Sequence, residues 1–223
     1  MMKLLLITTL ICLLIPVYVY AGYPLILWVL TRFKPSLQIE QRDDYPSVTL
    51  IVSCYNEADV IREKLQNCLA LDYPPESIEF IVVSDGSEDS TDEVVQEFSG
   101  QGVRLLRQEG RLGKTIGLNM ALTHVTSEIV VFSDANAMYS ADAIKRLTGH
   151  FANDSVGYVV GAALYTDGGS GGSAHSEGLY WRYELAIKQM ESNLHSVVGG
   201  DGAMYAIRTK LWEPLQQLSL IHI

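Results

Sequence analysis

The chain has 223 residues, with 16 Lys and Arg against 26 Asp and Glu, a net charge of −10 and 48% hydrophobic residues. That length fits one globular domain beside an apolar segment, and the acidic balance excludes a general affinity for nucleic acid or anionic lipid, both of which need surplus cations. Cys12, Cys54 and Cys68 show no C-x-x-C spacing, so neither a disulfide framework nor a zinc site is indicated, and a reducing compartment is the default.

From Leu4 to Leu30, 22 of 27 residues are apolar or aromatic and none is charged. As a helix this run is about 40 Å long, more than the roughly 30 Å of bilayer hydrocarbon, so it spans with some tilt. A secretory signal peptide, with Lys3 as its positive start and Val19-Tyr20-Ala21 as the cleavage site, is the rival. Against it, apolar residues resume from Leu25 to Leu30, and Tyr18, Tyr20, Tyr23 and Trp28 suit an interfacial anchor. Arg32, Lys34 and Arg42 follow the segment and Lys3 precedes it, which places the rest of the chain on the cytosolic side.

From Pro46 onward short apolar runs alternate with amphipathic ones, the pattern of βα units around a parallel sheet. Strands are predicted at Val48–Ser53, Ile78–Val83, Val103–Leu106, Glu128–Phe132 and Gly157–Ala163. Val60, Ile61, Leu65, Cys68 and Leu69 fall at helical spacing, and Ser90-x-x-Glu93 reads as a capping box. Further helices are predicted at Lys114–His124, Ala141–Phe151 and, after a Gly/Ser loop at 167–173, Glu177–Leu194.

Ligands of open α/β sheets bind beyond the carboxyl ends of the strands. Three strand ends carry polar residues there: Ser53 to Glu57, Ser84-Asp85-Gly86-Ser87 and Ser133-Asp134-Ala135-Asn136. Asp85 suits acceptance of hydrogen bonds from a nucleoside, and equally a turn before a helix cap. Asp134 and Asn136, one residue apart, are spaced to aim two oxygens at a hard cation such as Mg²⁺ or Mn²⁺, although a turn has the same composition. Gly110 to Thr115 is no Walker A loop, because Gln108 stands where that motif needs Gly. It remains a flexible loop opening a helix, with Arg111 and Lys114 as local counter-charge for phosphate. His124, His150, His175 and His195 have no metal spacing, and Tyr180, Trp181 and Tyr183 read as core or as a sugar platform. Asp201 lies in a Gly-rich turn.

In this order, the first strand with Asn56-Glu57, the Val82-to-Ser87 segment, Gly110 to Lys114 with Asn119, Asp134 and Gly200 to Arg208 resemble family 2 glycosyltransferases. These are inverting enzymes of GT-A type that include membrane-anchored synthases of extracellular polysaccharides. The resemblance runs from Val48 to about Trp212. It implies a Rossmann-like, mostly parallel sheet with helices on both faces, preceded by one transmembrane helix in residues 1–34. It further implies that Asn56, Glu57 and Asp85 bind the nucleotide of a nucleotide-sugar, usually uridine diphosphate, with Lys114 nearby. Asp134 and Asn136 stand at the family's D-x-D metal motif, here D-x-N, which leaves Asp134 the surer ligand of a divalent Mg or Mn. Asp201 and Gly202 fall on the acceptor side. The expected acceptor is a saccharide or a lipid-linked sugar, and the expected location is the cell membrane with a cytosolic domain.

Family members of this kind carry, after G-x-G-A-x-x-x-R, an acidic pair with the catalytic base, then Q-x-x-R-W and further membrane spans. None of these occurs in the 223 residues. The final six, Leu218 to Ile223, match a reading frame of a transposon end used as a sequencing adapter. The expectation is an incomplete transferase domain at 46–217 and a non-native tail at 218–223, a chain that binds donor but turns over poorly or not at all. The alternative from another class is a membrane-tethered nucleotide-sugar-binding protein without catalysis.

Overall fold

The apolar N-terminal run folds as one long helix interrupted by a wider turn: α1 (Met2–Val17), a π-helical turn (Tyr18–Gly22) and α2 (Tyr23–Thr31). Among the described residues, Met2–Thr31 is the helix long and apolar enough to cross a membrane. The computed structural model describes residues 1–34, 45–162, 172–200 and 203–215, and the side chains of the last helix from Tyr180 on. The chain divides into two units, of which the first joins the N-terminal helix to the described residues 172–200. Within that unit the long helix α7 (Gly172–Leu194) packs against α2. The Tyr23 hydroxyl donates to Glu191 Oε1. Pro24 has no N–H to offer the carbonyl of Tyr20 four residues back, and the Tyr183 hydroxyl donates to that oxygen at 2.7 Å. Tyr183 thus has a structural partner, while Tyr180 is exposed and Trp181 lies beneath the Lys188 ammonium.

The second unit is built on a six-stranded sheet: β1 (Val48–Cys54), β2 (Ile78–Ser84), β3 (Val103–Arg107), β4 (Ile129–Asp134), β5 (Tyr158–Val160) and β6 (Met204–Arg208), in the order β3-β2-β1-β4-β6-β5. β1 runs parallel to β2 and β4, and β2 to β3, while β6 is antiparallel to both of its neighbours. The central strands are apolar on both faces because helices cover both faces, which is why they read as continuous Val/Ile runs rather than as alternations. One face carries α3 (Ala58–Leu69), α4 (Thr91–Gln96) and α6 (Ala143–Gly149), whose Ile61, Leu65, Val95, Ile144 and Leu147 pack on Leu50, Val52, Val82 and Val131. The other carries α5 (Lys114–Leu122), with Leu118 and Ala121 against Ile51, Val83, Val130 and Phe132.

Two sequence expectations change. The run expected as a strand at Gly157–Ala163 is extended over Tyr158–Val160, and its pairing partner β6 was not anticipated. The Ser90-x-x-Glu93 capping box is not formed, since the Ser90 side chain makes no capping bond. Instead Asp89, one residue earlier, accepts from the Thr91 N–H at 3.0 Å and from the Ala58 N–H at 3.1 Å, so one carboxylate serves the first turns of both α4 and α3. The Thr91 hydroxyl, 2.5 Å away, holds the Asp89 carboxyl below the usual carboxylate range. Finally, Arg208, the basic end of the GDGAMYAIR segment, is a buried strut: its guanidinium donates to the carbonyls of Phe151, Asn153 and Val156.

Candidate donor site

Parallel pairing sets Cys54 beside Ser84 and Ser53 beside Asp134, so the segments after β1, β2 and β4 leave the sheet on one rim. The first two are laced together. Asn56 adopts a left-handed φ of 52°, a conformation that Asn tolerates better than other side-chain-bearing residues, and its Oδ1 accepts from the Glu88 N–H at 2.8 Å. Asn56 N–H donates to Ser87 Oγ and Glu57 N–H to Thr91 Oγ1. Asn56 and Glu57 therefore shape this rim through their backbone, and the Asn56 amide oxygen is spent within the protein.

Asp85 accepts three hydrogen bonds on Oδ1: from Gln108 Nε2 at 2.7 Å, from Leu112 N–H at 2.9 Å and from Gly113 N–H at 2.8 Å. It pins the glycine loop that opens α5, and its second oxygen is left to other donors. The approach is close enough that Gly86 admits no side chain: its φ is +70° and a Cβ would lie 2.6 Å from the Gly110 backbone. Below the loop, Arg107 pairs with Asp92 and donates to the Ser87 carbonyl at 3.1 Å. Arg111 lays its guanidinium 4.2 Å from the centroid of the Tyr55 ring. Sequence reasoning passed over Tyr55, although an aromatic directly after an apolar strand, on the rim already searched, was the available signal. Cys54, next to it, is buried, and burial pushes its thiol up to about 12, so it is no nucleophile.

Lys114, the first residue of α5, reaches Asp134 Oδ1 at 2.5 Å. Asn136 is exposed two residues on. Of the residues singled out in the sequence, Asn56, Glu57, Asp85, Arg111, Lys114, Asp134 and Asn136 thus lie in the three strand-end segments and the loop pinned to them. Asp201 and Gly202 lie outside the described residues. Asn119 exchanges two hydrogen bonds of 2.9 Å with the Leu215 backbone.

Among the described residues no three His, Cys, Asp or Glu side chains cluster as a metal cage. Asp134 and Asn136 offer one carboxylate and one amide oxygen. That donor set fits Mg²⁺ or Mn²⁺ where phosphate oxygens of a ligand complete the shell, the usual manner in which one or two carboxylates hold such ions. In this structure the Lys114 ammonium is the cation paired with the Asp134 carboxylate.

A doubly covered, mostly parallel sheet with one antiparallel strand and a polar rim at its carboxyl ends is an α/β domain of GT-A type. The family model Glycosyl transferase family 2 matches residues 49–212, and the chain belongs to that family. It is 32% identical over 131 residues to a poly-beta-1,6-N-acetyl-D-glucosamine synthase of Staphylococcus aureus, covering 57% of this chain and 30% of that protein. The Staphylococcus epidermidis enzyme of the same name is 28% identical over 113 residues, 50% of this chain and 27% of that one. The matched stretch thus spans well under half of the length of these curated relatives, 30% and 27%. Among solved structures, the mannosyltransferase PcManGT of Pyrobaculum calidifontis, in complex with GDP-Man and Mn²⁺, superposes with a TM-score of 0.72 at 28% identity, covering 86% of this chain and 53% of that one. S. aureus TarS 1–349, in complex with UDP-GlcNAc, shares the fold at a TM-score of 0.51 and 22% identity, over 56% of this chain and 36% of that one.

Proposed function

We propose that this chain is an inverting glycosyltransferase that takes a sugar from a nucleotide-sugar of the uridine diphosphate class and passes it to a saccharide in cell-surface polysaccharide synthesis. The observation that carries this reading is the pairing of Lys114 with Asp134 on the same rim where Asp85 pins the glycine loop. A carboxylate with a spare oxygen, an aromatic ring and two cations beside a second carboxylate are what a base, a ribose and a diphosphate require.

In this reading Tyr55 flanks the base, Asp85 accepts from the nucleoside, and Lys114 and Arg111 face the phosphates. An acceptor oxygen bonds to the anomeric carbon as the bond to the diphosphate breaks. The hydroxyl proton passes to the catalytic base that the family carries after its G-x-G-A-x-x-x-R stretch, and the configuration inverts. The difficult charge is on the departing diphosphate, so fixed cations at that point stabilise the transition state more than the ground state. Asp134, with Asn136 beside it, would hold a divalent metal, and that ion would add to the neutralisation of the leaving group. Two similarities support the reading: the 28%-identical mannosyltransferase was solved with a nucleotide-sugar and Mn²⁺, and the curated relatives are named for polymers of an amino sugar. Asp201 and Gly202 are assigned to the acceptor side by resemblance, with a saccharide or a lipid-linked sugar as acceptor. Arg32 and Lys34, just past the apolar helix, favour a cytosolic domain at the cell membrane.

The test is calorimetric titration of the full chain in detergent with UDP and other nucleoside diphosphates, with and without Mn²⁺, beside Asp134→Ala. Metal-dependent UDP binding is expected, weakened about tenfold or more in the variant, the scale of one lost charge-assisted contact. A folded chain that binds no nucleoside diphosphate under any condition sinks the reading.

A further inference from the structure

Lys64 is fully buried on α3, an unusual place for an ammonium. Its Nζ donates to the carbonyl of Ala137, three residues beyond Asp134, and stands 3.6 Å from the centroid of the Tyr139 ring. One turn on, Asn67 clasps the Tyr139 backbone from both sides: Nδ2 donates to its carbonyl and Oδ1 accepts from its N–H, each at 2.8 Å. The Tyr139 hydroxyl closes the arrangement, lying within hydrogen-bond reach of both Ser133 Oγ and, at 2.9 Å, the Ala203 carbonyl. Every bond here falls on the segment from Ser133 to Tyr139, which contains Asp134 and Asn136.

A methionine fills nearly the same volume as lysine without the cost of removing a charge from water. Filling space alone therefore does not account for a cation at this position. We propose that Lys64, together with Asn67, is a positioning residue that locks the segment after β4 so that Asp134 and Asn136 meet the diphosphate of the donor; the proposal rests on the transferase reading above. Lys64 does not touch the ligand in this scheme. It acts through Ala137 and Tyr139, and electrostatically it is already coupled to the site, since the charge of Asp134 favours the protonated amine against the pull of burial.

The proposal separates two parts of one ligand. Nucleoside recognition depends on the segments after β1 and β2, whereas the terminal phosphate meets the segment that Lys64 holds. The experiment compares UMP with UDP by calorimetry in Mn²⁺ buffer, using the full chain in detergent, for wild type, Lys64→Met and Asn67→Leu. The second variant changes a half-buried surface residue and carries the test if the first does not melt cooperatively. Folded variants are expected to bind UMP within about twofold of wild type while the preference for UDP over UMP falls about tenfold, the loss that follows from misplacing one charged contact. If the folded variants keep the full UDP preference, or weaken UMP and UDP in equal proportion, Lys64 and Asn67 are structural only and the proposal is overturned. A wild-type chain without a UDP preference overturns it as well, while the transferase reading stands. A wild-type chain that binds neither nucleotide removes the transferase reading and this proposal with it.

Discussion

Asp85 Oδ1 and the backbone N–H of Gly113 lie 2.8 Å apart, and this bond ties the end of β2 to the first turn of α5. The loop between them bears Arg111, and the residue after Gly113 is Lys114, so one carboxylate oxygen sets where two cations stand.

Truncation at Asp85 should therefore act twice. Asp85→Ala removes three acceptor bonds, leaving the Leu112 and Gly113 N–H groups to water and the buried Gln108 Nε2 with only the longer 3.3 Å bond to the Gly113 carbonyl. We expect a loss of stability of about 1–3 kcal/mol and of nucleotide binding beyond detection by calorimetry. Asp85→Asn keeps one acceptor oxygen and should restore most of the stability but little of the binding. Thermal unfolding and titration of the two variants side by side check this, and equal binding by Asn and wild type would show that Asp85 serves the loop alone.

The contact of Arg111 with Tyr55 is a partially exposed cation–π pair, which is worth about 0.5–1 kcal/mol at such sites. A nucleobase that stacks on Tyr55 competes with the guanidinium or joins it. Tyr55→Leu is expected to weaken UDP binding about three- to tenfold with little change in unfolding temperature, and the loss should be smaller for a diphosphate ligand without a base. Titration with UDP and with ribose 5-diphosphate separates the two, and equal losses on both ligands would exclude stacking.

Much of this architecture was legible because it is governed by local patterns. β1, β2 and β4 are buried on both faces and so appear as unbroken Val/Ile runs, and the rule that ligands lie at strand carboxyl ends led directly to Asp85 and Asp134. What escaped depends on contacts distant in sequence. β6 is five residues of mixed character, and its pairing with β4 joins residues over 70 positions apart. The capping box failed because Asp89, next to Ser90, is the stronger acceptor and also reaches Ala58 from across the fold. Asn56 is implied by the resemblance as a nucleotide contact, and its left-handed backbone and its bond to Glu88 add a local reason for Asn that the sequence did not reveal. Lys64 was legible in principle, since it falls between Ile61 and Leu65 on the buried face of α3, but an ammonium there is read by default as surface.

The same lysine gives a pH dependence. Burial pulls Lys64 down to about 8 from an ordinary value near 10.5, with Cys68 and Asp134 opposing that shift. Between those pH values the unfolded chain holds a proton that the folded one has released, so stability rises with pH across the window, and below about pH 8 the charged amine carries its full cost. The difference between wild type and Lys64→Met should accordingly change by on the order of 2–3 kcal/mol from pH 7 to pH 10.5, in favour of wild type at the alkaline end. Chemical denaturation at a series of pH values measures it, and a constant difference would show that Lys64 titrates normally.

The joint between the N-terminal helix and α7 rests on two tyrosine hydroxyls, Tyr23 to Glu191 and Tyr183 to the Tyr20 carbonyl. The second answers a specific deficiency, because Pro24 cannot donate where an ordinary helix residue would. Tyr183→Phe keeps the ring and removes only that donor, at an expected cost of about 1 kcal/mol, and Tyr23→Phe should cost somewhat more because Glu191 is buried and its carboxylate loses a partner. Both costs should fall on the same local opening, in which α7 leaves α2, rather than on the sheet domain, which shares none of these bonds. Limited proteolysis in detergent micelles reads this opening at Arg182 and Lys188. Each variant should be cut there faster than wild type, and the double variant by about the product of the two single effects, because the bonds meet different partners. Unchanged cutting at those two positions, with cutting elsewhere accelerated, would place the weakness in the sheet domain and show that the hydroxyls do not hold α7 to the helix.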